Sequence, residues 1–302
     1  MGKAARRNRQ QSVRERIAAQ QAAARRAEAQ RRLLITGGAI VVVVAIVLTF
    51  VLIKLNSGSP GSSGSSGSSS SVTGTALPAG VHRDVTSVPV STLNAIGEGT
   101  VLSYNPQPVS AISGAALTSQ GKPEMLYIGA EFCPYCAALR WSMAVALSRF
   151  GTLSPLRGIH SSPTDAFPNT ATLTFYKWTY TSKYLVFTPV ENETVNREPL
   201  QQTTAEQGKI WATYEPDVNT RGYPFIDFGN KYLIKAPIYD PSVLAGKTWS
   251  QIASALHDPS SPIAQGANGA ANLMTAAICK TTANQPASVC ASSMITRLQS
   301  KL

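Results

Sequence analysis

Leu33 to Ile53 is a run of 21 residues without a charge, LLITGGAIVVVVAIVLTFVLI, closed by Arg31-Arg32 before it and Lys54 after it. At the helical rise, such a run spans the hydrocarbon core of about 30 Å. It has no polar face to turn toward water, which argues against a core helix of a globular protein. A cleaved signal peptide is the other alternative, but 32 residues would precede its apolar region, and that region would exceed the usual length of about 7–15 residues. Residues 33–55 are therefore expected to form an uncleaved signal anchor that crosses the membrane once.

Charge orients this anchor. Met1 to Arg32 holds ten Lys and Arg against Glu15 and Glu28, which is +8 of the chain's +11, and only +2 remains beyond Lys54. The basic segment 1–32 is expected to stay cytoplasmic, leaving an extracytoplasmic C-terminal domain on a single-pass protein of the cell membrane. Lipid is the expected partner of 33–55 and of the basic N-terminal segment. The positive charge reads as topology, and no nucleic-acid partner is expected. Asn56 to Ser71, NSGSPGSSGSSGSSSS, has no apolar side chain to bury, so 56–80 reads as a Gly/Ser-rich linker.

From Val81 to Leu302 short apolar runs separated by Pro, Gly, Asn and Ser alternate between strand and helix patterns, which predicts an α/β domain over 81–302. Pro123 to Ala130 reads as a buried strand. Pro134 suits a first helical turn, Leu139, Met143, Leu147 and Phe150 recur at helical spacing, and Gly151 is the expected stop. Pro155 to Ser162 and Ala171 to Glu193 have strand composition. A helix is expected over Thr203 to Glu215, capped at Thr203 with Glu206 or at a neighbouring Thr. Phe225 to Phe228 and Lys231 to Ile234 flank Gly229-Asn230 as a hairpin. Thr248 to Asp258 and Asn268 to Lys280 are expected as helices.

All four cysteines lie beyond the anchor and so face a compartment where disulfides persist. Cys133 and Cys136 sit between the strand and the helix. A thiol attacks a disulfide only as thiolate, and the free N–H groups and positive pole of a helix start favour the anion. Cys136, one turn on, faces the same way and can resolve a mixed disulfide at Cys133. A zinc site would need a second ligand pair, whereas the remaining cysteines are spaced Cys-x10-Cys and His82, His160 and His257 are scattered. A permanent structural disulfide is the remaining alternative to a redox pair. Cys279 and Cys290 bracket a polar ten-residue loop with Pro286 and are expected as a structural disulfide worth on the order of 3 kcal/mol. The alternative for them is a relay that exchanges electrons with the first pair.

The order strand, Cys-Pro-Tyr-Cys, helix and then RGYPFIDFGN, Arg221 to Asn230, resembles the thioredoxin superfamily. The tetrapeptide is glutaredoxin-like, and the extracytoplasmic setting is similar to that of bacterial disulfide-forming oxidases and isomerases. More closely, IGAEFCPYCAALRWSMAVALSRFG with ICKTTANQPASVC resembles domain-of-unknown-function family 929, membrane-anchored proteins with a thioredoxin-like outer domain, over most of 81–302. The resemblance implies a thioredoxin-like fold with Pro224 as the cis-proline before the hairpin. It also implies that Tyr223, Pro224, Pro134 and Tyr135 bind substrate, Tyr223 through its backbone as an added strand would. Two departures from the pattern stand out. The 88 residues from Cys136 to Pro224 leave room for an insertion, expected over about 161–219. Tyr127 stands six residues before Cys133, where many relatives carry a buried acid, and Glu131 and Glu124 are the nearby carboxylates, each more often a solvated charge.

The expected function is that of a membrane-anchored thiol-disulfide oxidoreductase, oxidase- or isomerase-like, with Cys133 as nucleophile and Cys136 as resolving thiol. It would act on thiols and disulfides of exported proteins, with a membrane redox partner, and would need no cofactor or metal beyond the Cys133–Cys136 disulfide. The rival is a non-catalytic binding or scaffold module that keeps the frame around an inert disulfide. Its support is the aromatic-rich stretch with Phe175, Tyr176, Trp178, Tyr180, Tyr184 and Phe187.

Overall fold

Lys122–Gly129 sends alternate side chains into two different cores, and this division sets the layers of the molecule. Met125 and Tyr127 join the large cluster on one side, and Leu126 and Ile128 join a smaller one with Val190, Trp211, Phe225 and Leu233 on the other. A strand buried on both faces needs this near-continuous apolar composition. The computed structural model describes residues 74–218 and 221–302. The basic segment 1–32, the anchor 33–55 and the linker up to residue 73 lie outside the described residues. Among the described residues no helix is long and apolar enough to cross a membrane.

Strands and helices are numbered in chain order. The main sheet runs β2 (Ser110–Ala111), β11 (Tyr232–Ile234), β10 (Phe225–Phe228) and β4 (Lys122–Gly129), with β3 (Thr118–Ser119) and β9 (Val186–Glu191) along the other edge of β4. Every pairing is antiparallel except β4 with β9, where Tyr127 lies opposite Pro189 and Gly129 opposite Glu191. A second sheet joins β1 (Thr75–Ala76), β6 (Arg157–His160) and β7 (Ala171–Thr174), and β5 (Gly151–Leu153) pairs with β8 (Tyr180–Ser182). The helices are α1 (Val81–Thr86), α2 (Val90–Ile96), α3 (Val101–Tyr104), α4 (Pro134–Ser148), α5 (Ala205–Tyr214), α6 (Trp249–Ala255), α7 (Pro262–Thr281), α8 (Ala287–Cys290) and α9 (Ser293–Gln299). The chain therefore has a mixed α/β architecture.

In α4, 13 of 15 residues are buried, which is why its sequence is apolar on every side rather than along one stripe. It packs against α7, β7 and β5. Three hydrogen bonds fix its first half: Thr172 Oγ1 donates to Ala137 O (2.7 Å), Tyr239 OH to Ala138 O (2.8 Å) and Trp141 Nε1 to Ala171 O (3.1 Å). The helix ends at Ser148 by tightening its last turn, with Arg149 N–H bonded to Ala146 O and Phe150 N–H to Leu147 O. Gly151 is thus not the stop. It begins β5, where a side chain would meet Thr181 O at 2.3 Å.

Other boundaries differ from expectation for identifiable reasons. The second of the expected caps holds for α5, where Thr204 forms a reciprocal pair with Gln207. α7 begins at Pro262, six residues before Asn268, because Ser261 accepts from Ile263 N–H and Pro262 takes the first turn. Its Asn272 Nδ2 donates to Leu93 O and Gly97 O at the end of α2. The expected hairpin forms as β10 and β11, turning on Gly229 (φ 65°) and Asn230 (φ 56°), whose N–H bonds Asp227 Oδ1 at 2.6 Å. Packing extends N-terminal of Val81, since β1 pairs with β6 and Leu77 lies against the core. Within 161–219, β9 belongs to the main sheet and Trp211 of α5 to its smaller core.

Candidate active site

β4 ends at Gly129 and α4 begins at Pro134, so the four intervening residues carry the chain from sheet to helix. Cys133 is the N-cap. Its Sγ accepts the Cys136 backbone N–H at 3.2 Å and its thiol donates to Tyr223 O at 3.8 Å. Tyr223 precedes Pro224 through a cis peptide, and β10 then pairs with β4, Phe225 opposite Ile128. The antiparallel pairing of these two strands is what brings residues 223–224 beside residue 133, 90 positions away.

Both thiols are buried, Cys133 at 4% exposure and Cys136 at 0%, and both are free. Burial pushes the Cys133 thiol up, but hydrogen bonds from the Cys136 side chain and N–H, the Arg140 charge and the Tyr135 N–H outweigh it, leaving it below its ordinary value. Burial and the neighbouring Cys133 sulfur hold Cys136 well above its own. The pair is thus electrostatically split: Cys133 ionises first, and Cys136 stays protonated beneath it.

The remaining expected residues surround this pair. Pro134 is buried in the first turn. Tyr135 is half-buried, its ring against Phe167 at 5.9 Å between centroids. Tyr223 packs between Phe132 (6.0 Å) and Trp211 (5.6 Å), and its hydroxyl donates to Glu193 and accepts from Asn192, each at 3.2 Å. Pro224 is buried. Cys279 and Cys290 form a disulfide with Cα atoms 5.5 Å apart. Thr281, two residues beyond Cys279, lies against Gly229, at the opposite end of β10 from Phe225 and Cys133. The two cysteine pairs are therefore not brought together, which removes the geometry a direct relay needs.

Four residues join the site without having been anticipated. Arg140, one turn beyond Cys136 on α4, bonds Glu191 of β9 through Nε (2.8 Å) and Nη2 (2.7 Å) and also reaches Ala130 O (2.7 Å). Both side chains are fully buried. Arg197 lies 3.7 Å over the Phe132 ring and bonds Asp165 at 2.6 Å, tying residues 162–169 to residues 192–200 beside Cys133. The signal for Arg140 was present: a charge four residues after Cys136 in an otherwise apolar helix. Glu131, expected as a solvated charge, is instead 2% exposed. Its Oε1 accepts from Thr174 Oγ1 at 2.6 Å, and burial pushes its pKa up to about 7. It also lines a cavity of about 280 Å³ with His160, Thr194, Glu198 and Trp249.

Tyr127, six residues before Cys133, is fully buried on the α4 side of the sheet. Gly129 makes room for it, since a Cβ there would lie 2.0 Å from the Tyr127 hydroxyl. Burial holds the phenol well above its ordinary pKa, and the hydroxyl couples to Arg140, Cys136 and Glu191.

No curated protein and no solved structure matches the chain. Residues 108–280, from just before β2 to the last turn of α7, match the family model described as Domain of unknown function (DUF929), and the chain belongs to that family.

Proposed function

We propose that this protein is a membrane-anchored, extracytoplasmic thiol-disulfide oxidoreductase with a thioredoxin-like fold, acting on cysteines of exported proteins. The observation that carries the reading is the split of the cysteine pair. The thiol at the helix entrance is held by a backbone N–H and driven toward thiolate, and the one a turn below is held as thiol.

The fold reading is supported by the strand order β9-β4-β10-β11, with β4, α4 and β9 forming a parallel crossover and β10–β11 an antiparallel hairpin, and with α7 packed against α4. The topological reading rests on the charge-free run 33–53 and the basic residues before it. A membrane redox partner remains part of the proposal, because a catalytic disulfide must be regenerated.

The chemistry follows from the positions. Cys133 thiolate attacks a substrate disulfide, forming one S–S bond as the substrate's breaks and one substrate thiolate leaves. Cys136, after losing its proton to solvent base, attacks Cys133 Sγ and expels the second substrate thiolate. The substrate gains two electrons and the protein pair becomes a disulfide; the reverse sequence oxidises a substrate dithiol. The backbone at the half-buried Tyr223, whose carbonyl already bonds Cys133, is where an extended substrate segment adds.

The test is trapping. Cys136→Ser in the full chain is expected to hold substrates as mixed disulfides at Cys133 that reducing agent releases, and Cys133→Ser to abolish both trapping and exchange. Wild-type exchange by either variant would overturn the reading. A binding module is the second reading, favoured by the 4% exposure of Cys133. It requires partner capture unchanged in Cys133→Ser.

A further inference from the structure

Among the described residues, the buried polar atoms without a hydrogen-bond partner include two that couple to Cys136, the Tyr127 hydroxyl and Nη1 of Arg140. Such atoms are costly, and a role in the redox step is one of the explanations they call for. Both belong to the same small volume. Tyr127 projects from β4 toward α4, and Arg140 lies one turn beyond Cys136 on the same helix face. Glu191 and Ala130 O take up Nε and Nη2, which leaves the fork of Arg140 fixed with Nη1 spare. Both groups couple to Cys136, and the phenol stands within reach of its thiol without a fully formed hydrogen bond.

A thiol is a weak acceptor and a thiolate a strong one. We propose that the Tyr127 hydroxyl and Arg140 Nη1 are the partners of the Cys136 thiolate, receiving its negative charge when Cys136 attacks Cys133 Sγ or leaves it. The proposal rests on the oxidoreductase reading and adds residues to that site. Tyr127 donates its O–H without giving up the proton, and Arg140 supplies the cation. A neutral donor and an ion-paired cation thus stand beside the resolving thiol. The charged and titratable groups facing Cys136 are Cys133 on its own helix, Tyr127 from β4, Arg140 with Glu191 from β9 behind it, and Tyr223 from the loop before β10.

The full chain in detergent is treated with an aromatic disulfide, dithionitrobenzoate. Cys133 thiolate attacks it and releases one coloured thionitrobenzoate. Cys136 then attacks Cys133 Sγ and expels the second, so the protein pair is oxidised and the reagent reduced to two thiolates. The rate of the second release is followed against pH. Tyr127→Phe is expected to slow it about tenfold at neutral pH and to raise its pH midpoint by about one unit, as loss of a hydrogen bond to a charged group requires. The same variant should be no less stable than wild type, since it removes a hydroxyl that has no partner. Stability and rate would then move independently, which a packing role cannot produce. Arg140→Met with Glu191→Leu, which removes the cation without orphaning its partner, should shift the midpoint in the same direction. An unchanged midpoint in Tyr127→Phe, with wild type releasing twice, overturns this proposal alone. A wild type that releases only once overturns it together with the oxidoreductase reading.

Discussion

Arg140 and Glu191 meet through two parallel hydrogen bonds of 2.8 and 2.7 Å with no part of either side chain exposed. The pair joins the helix of the cysteines to the one strand that runs parallel to β4. A buried pair of this kind contributes little against a well-packed apolar replacement, but removing one partner leaves a charge with nowhere to go. Glu191→Gln is therefore expected to cost about 3–5 kcal/mol in urea unfolding. Arg140→Met combined with Glu191→Leu should cost less than the single change, and a double variant weaker than Glu191→Gln would contradict this account.

The stabilised thiolate at Cys133 makes the reduced pair more stable relative to the disulfide. The reduction potential, measured by equilibrating the full chain against glutathione buffers, is expected between about −120 and −230 mV, as in oxidases and isomerases. A value below about −300 mV would instead mark a structural bond and favour the binding-module reading.

Glu131 holds its proton more tightly folded than unfolded, with a pKa near 7 against an ordinary 4.5. Its contribution is thus most favourable below about pH 4.5, declines as pH rises toward about 7 and is level above that, a loss on the order of 1–3 kcal/mol. Glu131→Gln should flatten this part of the stability profile. Asp227 also titrates near pH 6, so the difference between wild type and variant is the quantity to follow by denaturant midpoint.

Arg197 lies over Phe132, the residue before Cys133, and pairs with Asp165, the two side chains being 53% and 24% exposed. Exposed pairs add at most about 1 kcal/mol, so Arg197→Ala should leave unfolding nearly unchanged. It uncovers Phe132, and the rate of iodoacetamide alkylation at Cys133 should rise several-fold. An unaltered rate would mean that access runs past Tyr223 and Tyr135 instead.

Gly129→Ala would drive a methyl group into the Tyr127 phenol at a strand position with no slack. A destabilisation of about 1–3 kcal/mol is expected from overpacking. Adding Tyr127→Phe, which removes the atom struck first, should recover part of it.

The strand, cap and helix around the cysteines were legible because each has a local cause: a buried apolar run, a first-turn proline, an N-cap sulfur. The Gly229-Asn230 turn was legible for the same reason, two left-handed residues between β-rich runs. The buried charges were not. Glu131 and Glu191 look like solvated carboxylates until Thr174 and Arg140, 43 and 51 residues away, are brought to them. α7 was recognised late along its length because its first turns, rich in Gly, Ala and Asn, carry no apolar stripe. They are small because α7 packs against its neighbours at close range, with Gly269 near the backbone of Glu98. Tyr127 reads in the sequence only as a residue that is not an acid, and that its hydroxyl lacks a partner depends on the packing of β4 against α4.

The all-round burial of α4 has a consequence for how this protein can vary. Helices that show one face to water can drift on the other, but here 13 of 15 positions are core positions, and most changes among them would be felt as lost or excess volume. Sequence change is therefore channelled away from the helix that bears the thiols and into the loops around residues 162–169 and 192–200. On the oxidoreductase reading proposed above, those loops are where substrate preference can change without disturbing the packing around the thiols.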